Sequence, residues 1–240
     1  MARWDRAIAA LPFRQGRVLD LDCAFGFATL LLARRGYNTV GVDNPPRYIR
    51  RARRRHSTGE YILSSAEALP LADNSFDGVL CLDVLEHVSD QPAVIREIQR
   101  VLKPGGTLVL SVPHSGLLGR FDSLNLYASL VRKTHHGLFP QEIAQTGIHC
   151  HYSLKQLQEL LGSAFHVQGV MCTGLGVAEL VNLPLLVLCR YTLAWEWLYQ
   201  LLQYVYFLVY LLEDLLPLGR AGYHLMVVAT KEKAEIDYIT

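Results

Sequence analysis

The sequence contains few cysteines, and they are not paired. Its five cysteines, Cys23, Cys81, Cys150, Cys172 and Cys189, are odd in number and form no CxxC motif. This usage fits reduced thiols better than a disulfide framework, so we expect a cytoplasmic protein. Lys and Arg total 23 against 22 Asp and Glu. A balance this close to neutral gives no general attraction to nucleic acid, and we expect no nucleic-acid partner.

Long apolar runs are also scarce. Residues 1–16 (MARWDRAIAALPFRQG) have no apolar core long enough for a secretory signal and suggest a short amphipathic helix. The longest uncharged stretch of the apolar C-terminal half, residues 197–212, has 16 residues. A membrane-spanning helix needs about 20. Apolar residues nevertheless make up 51% of the chain and charged residues only 19%, so this excess must lie in the core or on a surface that is covered.

Short apolar runs alternate with helical patterns through the first half of the chain. The pattern predicts strands at 17–21, 38–42, 61–63, 76–82 and 107–112, with helices at 28–35, 47–56 and 88–102 between them. This alternation is typical of an α/β fold with a doubly wound parallel sheet. Residues 113–152 have no clean period. After them the pattern predicts a helix from Ser153 to residue 161, then strands at 165–170 and 224–230.

One turn that usually contains several glycines contains only one in this sequence. In VLDLDCAFGFATL, residues 18–30, a strand leads through a loop into a helix, and only Gly26 is a glycine. The next strand ends in GVDN, which places Asp43 about 20 residues after the loop. Because parallel strands end at one edge of a sheet, this acidic residue is placed to bind ribose hydroxyls of an adenosine cofactor. The full GxGxxG of a hydride-transfer enzyme is absent.

Three segments in the right order make the cofactor hypothesis more specific: VLDLDCAFGFATLLLARRGYNTVGVD, SSAEALPLADNSFDGVLCLDVLEHV and REIQRVLKPGGTLVLSVP. Together, over roughly residues 17–112, they resemble the class I S-adenosylmethionine-dependent methyltransferases, in particular the subgroup with ubiquinone and menaquinone methyltransferases. The resemblance implies a seven-stranded Rossmann-like sheet of order 3-2-1-4-5-7-6 with an antiparallel last strand. It also implies S-adenosylmethionine as the cofactor.

The resemblance also assigns roles to the cofactor residues. Asp20 would support the loop, and Gly26 would let the backbone approach the methionine moiety. The remaining contacts would be Asp43 to the ribose, Ala66 and Glu67 beside the adenine, and Asp83 facing the methyl-bearing end.

The loop departs from the family pattern D-x-G-x-G-x-G, since Asp22 and Ala24 occupy the first two glycine places. Alanine at a position with positive φ costs about 1 kcal/mol, which a fold can absorb. The Asp22 carboxylate could crowd the cofactor or pair with its ammonium group. Two hypotheses follow: an active methyltransferase, or a non-catalytic, membrane-associated binding protein on a degenerate methyltransferase fold.

Three histidines are candidates for acid–base chemistry. Methyl transfer is an in-line displacement that depends on positioning, and an oxygen acceptor often needs a base. His114 follows the fifth strand directly, while His149 and His151 lie at the end of the irregular segment; a purely structural histidine is at least as good an interpretation of each. No spacing among the histidines matches a metal-ligand pattern and no clear carboxylate cluster joins them, so no metal site is predicted.

The predicted topology divides the chain by function. Residues 1–112 would form the cofactor-binding core, 113–152 a lid at the acceptor site, and 153–240 the rest of the sheet with a hydrophobic helical insertion at 174–219. Both insertions would lie over the active-site mouth. This suggests a small, apolar or lipid-linked acceptor, such as an isoprenoid quinone precursor.

The insertion also carries an apolar stripe, from Leu198 to Leu215, with Gln200, Gln203, Tyr210 and Asp214 off it. Such a stripe suits a helix packed on the protein, a dimer contact, or peripheral contact with the inner face of a membrane through residues 177–216. The arginine-rich segment 47–55 is either a solvated helix face or a surface attracted to anionic lipid.

Overall fold

One seven-stranded sheet organises the chain. The computed structural model describes residues 3–56, 59–116, 119, 122–140, 143, 148–213 and 222–233. The strands are β1 (Arg17–Leu21), β2 (Asn38–Asp43), β3 (Glu60–Leu63), β4 (Phe76–Leu82), β5 (Leu102–Pro113), β6 (Phe165–Thr173) and β7 (His224–Lys231). Their order in the sheet is β3-β2-β1-β4-β5-β7-β6. This order confirms the predicted fold.

The register brings the strand ends that matter for function to one edge. β1 is parallel to both β2 and β4, and Leu21 at its end lies opposite Val42 and Cys81. β7 is antiparallel to both of its neighbours, β5 and β6. The loops that follow β1, β2 and β4 therefore leave the sheet side by side.

Helices cover both faces of the sheet. They are α1 (Arg3–Ala9), α2 (Phe27–Arg34), α3 (Pro46–Arg55), α4 (Gln91–Val101), α5 (Ser123–Thr134), α6 (Leu154–Leu161), α7 (Val177–Leu185) and α8 (Glu196–Glu213). Because side chains of a strand alternate between faces, the neighbours Val18 and Leu19 belong to two different core clusters. Val18 packs with Ile8 of α1, and Leu19 shares its cluster with Ile98 of α4.

The structure corrects several sequence-based boundaries. Residues 113–152, for which no regular element was predicted, contain α5, whose Asp122 N-cap accepts a hydrogen bond from the Asn125 amide at 2.7 Å. The predicted fifth strand begins at Thr107, whereas β5 begins at Leu102. Regular pairing with β4 does start at Thr107, opposite Gly78, after a register shift. The helix after Ser153 is confirmed, with a capping box between Ser153 and Gln156.

The insertion between β6 and β7 consists of α7, a π-helical segment at Leu186–Thr192, and α8. Pro184 lies inside α7, just before the π-helical segment; a proline there removes one helical hydrogen bond. Among the described residues, none of the helices has the length and apolar character needed to cross a membrane.

The predicted apolar stripe of the insertion divides into a packed part and an exposed part. Leu198 and Leu202 pack against the cluster around Tyr127, but Leu201, Val205 and Leu208 are each more than half exposed, at 57%, 52% and 57%. The helix therefore buries one part of the stripe and presents the other to solvent. The predicted end of the stripe, Leu215, and the off-stripe Asp214 lie outside the described residues.

Candidate active site

The loop after β1 keeps the backbone of a glycine-rich turn without most of the glycines. Asp22, Ala24 and Gly26 have φ of 60°, 46° and 76°. All three glycine places of the family pattern thus adopt the left-handed conformation, two of them with a side chain. The Cys23 amide donates to the Val42 carbonyl at 3.0 Å and ties the loop to β2. The left-handed conformation that the pattern requires of Ala24 is present.

Gly26 is held to glycine by space as well as by backbone angle. A Cβ built on Gly26 would lie 2.6 Å from the hydroxyl of Tyr61, which projects from β3. Contacts this short are not tolerated between real atoms, so any side chain would displace Tyr61 or the loop. The predicted reason for this glycine, backbone approach, is thus joined by a second one.

Asp20 supports the turn from inside. Its Oδ2 accepts a hydrogen bond from the Thr29 hydroxyl at 2.6 Å and links β1 to α2. Burial raises the pKa of Asp20 to about 6. The residue is only 4% exposed, yet it lies at the wall of the central cavity.

Of the two carboxylate oxygens of Asp43, one accepts a hydrogen bond and the other does not. Its Oδ2 accepts a hydrogen bond from the Ala24 amide at 2.7 Å, while its Oδ1 is buried and has no hydrogen-bonding partner in the described part of the chain. A buried oxygen of this kind costs free energy until a donor reaches it. Because Asp43 lines the cavity, a ribose hydroxyl is a suitable donor. The residues present therefore fit an adenosine cofactor.

Asp22 lies next to Asp43 in the same cavity. Solvent in the cavity reaches its side chain, but the protein atoms around it and the neighbouring Asp43 carboxylate raise the pKa of Asp22 to about 8. Burial also raises the pKa of Asp43.

The predicted adenine residues lie farther along the cavity wall. Ser65, Ala66 and Glu67 all line it. The Glu67 carboxylate accepts hydrogen bonds from the Asp90 amide at 3.0 Å and from the Ser89 hydroxyl at 3.2 Å. Glu67 therefore joins the segment after β3 to the start of α4 and shapes the wall.

Asp83, at the end of β4, has a partner that sequence reasoning missed. Arg3 of α1 pairs with it at 2.5 Å, and the Ser111 hydroxyl donates to it at 3.0 Å. The Arg3 guanidinium also lies 5.2 Å from the ring centre of Tyr210 on α8. An arginine among apolar residues near the N-terminus was the only signal, and it does not reveal a partner eighty residues away.

A single cavity of about 1210 Å³ connects these groups. Of the eight predicted cofactor residues, all but Gly26 line it. Its far end is lined by side chains from the turn after β4, the irregular segment, the insertion and the start of β7, namely Glu86, His87, His149, Glu179, Asn182, Tyr199, Gln203, Tyr206, Tyr210, Tyr223 and His224. Gln203 and Tyr210, which the sequence places off the apolar stripe, thus face the site.

His149 is the predicted acid–base residue that reaches the cavity. Its Nδ1 lies 2.5 Å from Oδ2 of Asp122, and its ring stacks on that of His87 with centres 5.6 Å apart. Burial alone would lower the pKa of His149, but the hydrogen bond and charge of Asp122 raise it above its ordinary value. In turn His149 holds the pKa of Asp122 below its usual range, against the effect of burial.

The other two candidate histidines do not line the cavity. The Nδ1 of His114 lies 3.1 Å from the Gly222 carbonyl oxygen, so its ring contacts the segment before β7. His151 lies behind His149, with Nε2 3.5 Å from Oδ2 of Asp122. Burial lowers the pKa of His151.

Within the part of the chain that the structure describes, two groups of side chains could hold a cation. Glu86, His87 and His149 bring one donor atom each to within 4.8 Å of one another, as do Asp122, His149 and His151. In the sequence no clear carboxylate cluster joins these histidines. The structure corrects that statement, because Glu86 and Asp122 come from distant segments.

The insertion contributes a buried polar network at the far end. Glu179 of α7 accepts hydrogen bonds from the amide and hydroxyl of Ser123, at 2.9 and 2.5 Å. Asn182 donates to the same hydroxyl at 2.8 Å and accepts from Tyr199 at 3.0 Å. These bonds fasten α7 and α8 to the start of α5, the helix whose N-cap positions His149.

Comparison with known proteins agrees with this geometry. Residues 19–110 match the family model described as a methyltransferase domain. Over these residues the chain is similar to methyltransferase domains. A ubiquinone biosynthesis O-methyltransferase from Xanthomonas oryzae pv. oryzae is 35% identical over 143 residues, 56% of this chain and 60% of that protein. One from Cereibacter sphaeroides is 38% identical over 115 residues, 46% of this chain and 47% of that protein. The chain thus matches about half the length of these curated relatives.

Solved structures of similar fold extend over nearly the whole chain. An S-adenosylmethionine-dependent methyltransferase from Mesorhizobium loti has a TM-score of 0.60 at 20% identity, with 96% of this chain and 98% of that chain covered. S-adenosylmethionine-dependent methyltransferases from Methanosarcina mazei give 0.58 at 21% identity, with 94% and 97% covered. These solved structures therefore share the fold of this chain.

Proposed function

We propose that this protein transfers a methyl group from S-adenosylmethionine to an oxygen atom of a small, apolar or lipid-linked acceptor. One observation carries the proposal: a single cavity joins the predicted cofactor residues to His149, whose ring is held by Asp122. When bound, the cofactor supplies an electrophilic methyl group on a positively charged sulfur.

The side chains of this chain have separate tasks in the proposal. Asp43 accepts the ribose hydroxyls through its vacant Oδ1, and Asp83 marks the methyl-bearing end. Because Asp122 engages Nδ1 of His149, Nε2 is the nitrogen available to accept the proton of an acceptor hydroxyl. Asp122 then stabilises the imidazolium that results. The insertion helices close the far wall and exclude water, which is the role expected of lids.

Two observations favour oxygen over carbon as the methylated atom. A buried His–Asp pair is suited to removing a proton from a hydroxyl group. The relatives from Xanthomonas oryzae pv. oryzae and Cereibacter sphaeroides are both named O-methyltransferases. Their names also point to a quinone precursor as the acceptor, in line with the expectation from the apolar insertion.

The exposed face of the insertion supports an acceptor that resides in lipid. Trp197, Leu201, Tyr204 and Leu208 are 62%, 57%, 69% and 57% exposed, and the rings of Trp195 and Trp197 stack with centres 5.9 Å apart. Aromatic and aliphatic side chains in this combination suit peripheral contact with a membrane. We expect this contact at the cytoplasmic face of the membrane. The alternative is that a second copy of the chain covers the exposed face in a homodimer.

Calorimetry with S-adenosylmethionine and S-adenosylhomocysteine tests the cofactor half of the proposal. Transfer of a labelled methyl group to a dihydroxybenzene with a short isoprenoid tail, compared with the same head group without a tail, tests the acceptor half. We expect both ligands to bind and the tailed acceptor to be preferred. If neither ligand binds, the proposal fails. If a chelator abolishes methyl transfer and Mg²⁺ restores it, the reaction depends on a bound cation and the proposed role of histidine as the base is wrong.

The competing hypothesis is a non-catalytic, membrane-associated binding protein. Its motivation is the pair Asp22 and Ala24 in glycine places. In such a protein Asp22→Gly should create cofactor binding that the natural chain lacks. In an active enzyme the same change should leave binding in place, and vesicle binding alone, without cofactor binding, would favour the competitor.

A further inference from the structure

Asp22 is the most unusual feature of the proposed cofactor site, and the inference drawn from it rests on the proposed function. We propose that Asp22 determines specificity within the cofactor pair: its carboxyl group shares a proton with Asp43 when the cavity is free, and in its charged form it favours S-adenosylmethionine over S-adenosylhomocysteine. The two ligands differ by the positive charge on sulfur, which the methylated form has and the product lacks.

The position of Asp22 places a carboxyl group where the family pattern has no side chain. The residue follows β1 directly, has φ of 60°, and lines the cavity. A left-handed backbone is costly for any residue with a Cβ, by about 1 kcal/mol or more. The loop nevertheless keeps the left-handed backbone with Asp22 in place, and it directs the carboxyl group into the space that the cofactor would fill.

The vacant oxygen of Asp43 is the second, independent observation. Asp43 is 2% exposed, its Oδ2 accepts from the Ala24 amide, and its Oδ1 has no other donor among the described residues. Asp22 lies within side-chain hydrogen-bonding reach of Asp43. Two carboxyl groups can form such a bond only when one of them carries a proton. A proton on Asp22 would therefore link the two carboxyl groups in the free protein.

The surroundings of Asp22 make it responsive to a cation. The carboxyl groups of Asp20, Asp43, Asp83 and Glu86 all act on it, and each disfavours a further negative charge. Burial and these carboxyl groups raise the pKa of Asp22 to about 8. The nearby Cys23 thiol stays neutral, because burial raises its pKa well above its usual range. The guanidinium of Arg3 faces the same region, but it is paired with Asp83.

A positive charge in the cavity would therefore release the proton of Asp22 to solvent. The vacant Oδ1 of Asp43 would accept a ribose hydroxyl. S-adenosylhomocysteine, whose sulfur is neutral, gains nothing at the sulfur position from the new carboxylate. The expected consequence is faster loss of product, since S-adenosylhomocysteine would bind more weakly than S-adenosylmethionine.

Calorimetry on the full chain tests this at pH 6.5 and 8.5, with each ligand in two buffers that differ in ionisation enthalpy. We expect S-adenosylmethionine to release a fraction of a proton and to gain affinity relative to S-adenosylhomocysteine as the pH rises. Asp22→Asn, which keeps the shape but removes the charge, should lower the ratio of the two affinities about tenfold at pH 8.5 and abolish the proton release.

Two further variants separate charge from backbone effects. Asp22→Gly should lower the ratio as Asp22→Asn does, because both remove the carboxylate. Glu159→Gln removes an exposed carboxylate of α6 that only pairs with Lys155, and it should leave the ratio unchanged. If Asp22→Asn does not fold, Asp22→Gly and the pH series on the natural chain provide the same test.

The outcomes of these experiments test the role of Asp22 separately from the proposed methyltransferase function. Binding of both ligands with an unchanged ratio in Asp22→Asn, or without proton release in the natural chain, overturns the role of Asp22 and leaves the methyltransferase proposal standing. Failure of both ligands to bind the natural chain overturns both.

Discussion

The Asp122 carboxylate lies 2.5 Å from Nδ1 of His149, and the two side chains are 2% and 13% exposed. Asp122 is fixed from several directions, because it also caps α5 through Asn125 and accepts a hydrogen bond from the Tyr223 hydroxyl at 3.0 Å. The ring of His149 therefore has little freedom to rotate. This pair is the part of the proposed mechanism that mutagenesis can examine most directly.

Replacing Asp122 by Asn should reduce turnover without weakening cofactor binding. The amide cannot stabilise a positive imidazolium as the carboxylate does, so we expect kcat to fall by about tenfold to a hundredfold. Calorimetry should give the same Kd for S-adenosylmethionine, because Asp122 does not line the cavity. Equal losses in kcat and in cofactor affinity would indicate a general collapse of the site instead.

His149→Gln and His114→Gln form a matched pair. Removal of a base costs roughly 10²- to 10⁴-fold in rate. We expect a loss of that order for His149→Gln and little change for His114→Gln, whose ring turns to the Gly222 carbonyl. Rates of methyl transfer to the tailed acceptor at saturating cofactor provide the measurement, and the reverse order of effects would identify His114 as the base.

Gly26→Ala and Gly36→Ala separate backbone strain from crowding. Both glycines have positive φ, 76° and 90°, so each alanine should cost about 1 kcal/mol of stability. Only Gly26 has a neighbour in the way, the Tyr61 hydroxyl; a Cβ at Gly36 meets nothing within 4 Å. We therefore expect weaker cofactor binding for Gly26→Ala and unchanged binding for Gly36→Ala. Calorimetry measures the binding, and thermal unfolding measures the stability of both variants. Equal behaviour would mean that Tyr61 moves aside freely.

Asp20 should make the free energy of unfolding depend on pH. Burial raises its pKa from 3.8 to about 6 in the folded chain, so the folded state binds the proton more tightly than the unfolded state does. The stabilisation is complete below about pH 3.8 and is lost as the pH rises through about 6, a change of about 3 kcal/mol. Urea unfolding between pH 4 and 7 gives the free energy of unfolding of the natural chain and of Asp20→Asn. We expect the difference between these two free energies to become smaller as the pH falls. If the unfolding free energies of the two chains change with pH in the same way, this expectation is wrong.

The exposed side of α8 should be needed for lipid binding. Leu201→Gln with Leu208→Gln should reduce co-sedimentation with anionic phospholipid vesicles, because it removes two apolar side chains from the surface. Leu63→Gln with Val170→Gln is the control, since these residues are 50% and 47% exposed on strands of the sheet. A natural chain that stays monomeric and in the supernatant would remove both the membrane and the dimer interpretations.

The sheet, and the position of three acidic residues at one edge of it, could be predicted because their signals are local. Short apolar runs mark the strands, and Asp20, Asp43 and Asp83 each lie at the end of one, where a parallel sheet gathers side chains. The acceptor half could not be predicted in the same way. His149 meets Asp122 across 27 residues, and Arg3 meets Asp83 across 80. Nothing in the spacing of these residues shows which distant partner the fold will provide.

The α8 helix shows a different limit. Its apolar periodicity predicts an apolar face but leaves open whether that face packs on the protein, on a second copy or on a membrane. In the structure α8 packs against α7, Leu201 and Leu208 are exposed, and Gln203 and Tyr206 line the cavity. Periodicity gives the angular spread of apolar side chains around a helix. It does not give the direction in which that spread points.

The two ends of the hydrophobic insertion are neighbours. Thr173, the last residue of β6, is paired with His224, the first of β7, so the chain leaves and re-enters the sheet at a single rung of the ladder. The attachment points are fixed by backbone hydrogen bonds that need no particular segment between them, and lengthening or exchanging such a segment carries little entropic cost. The acceptor wall can therefore diverge, or be grafted between relatives, while the edge of the sheet that holds Asp20 and Asp43 stays as it is.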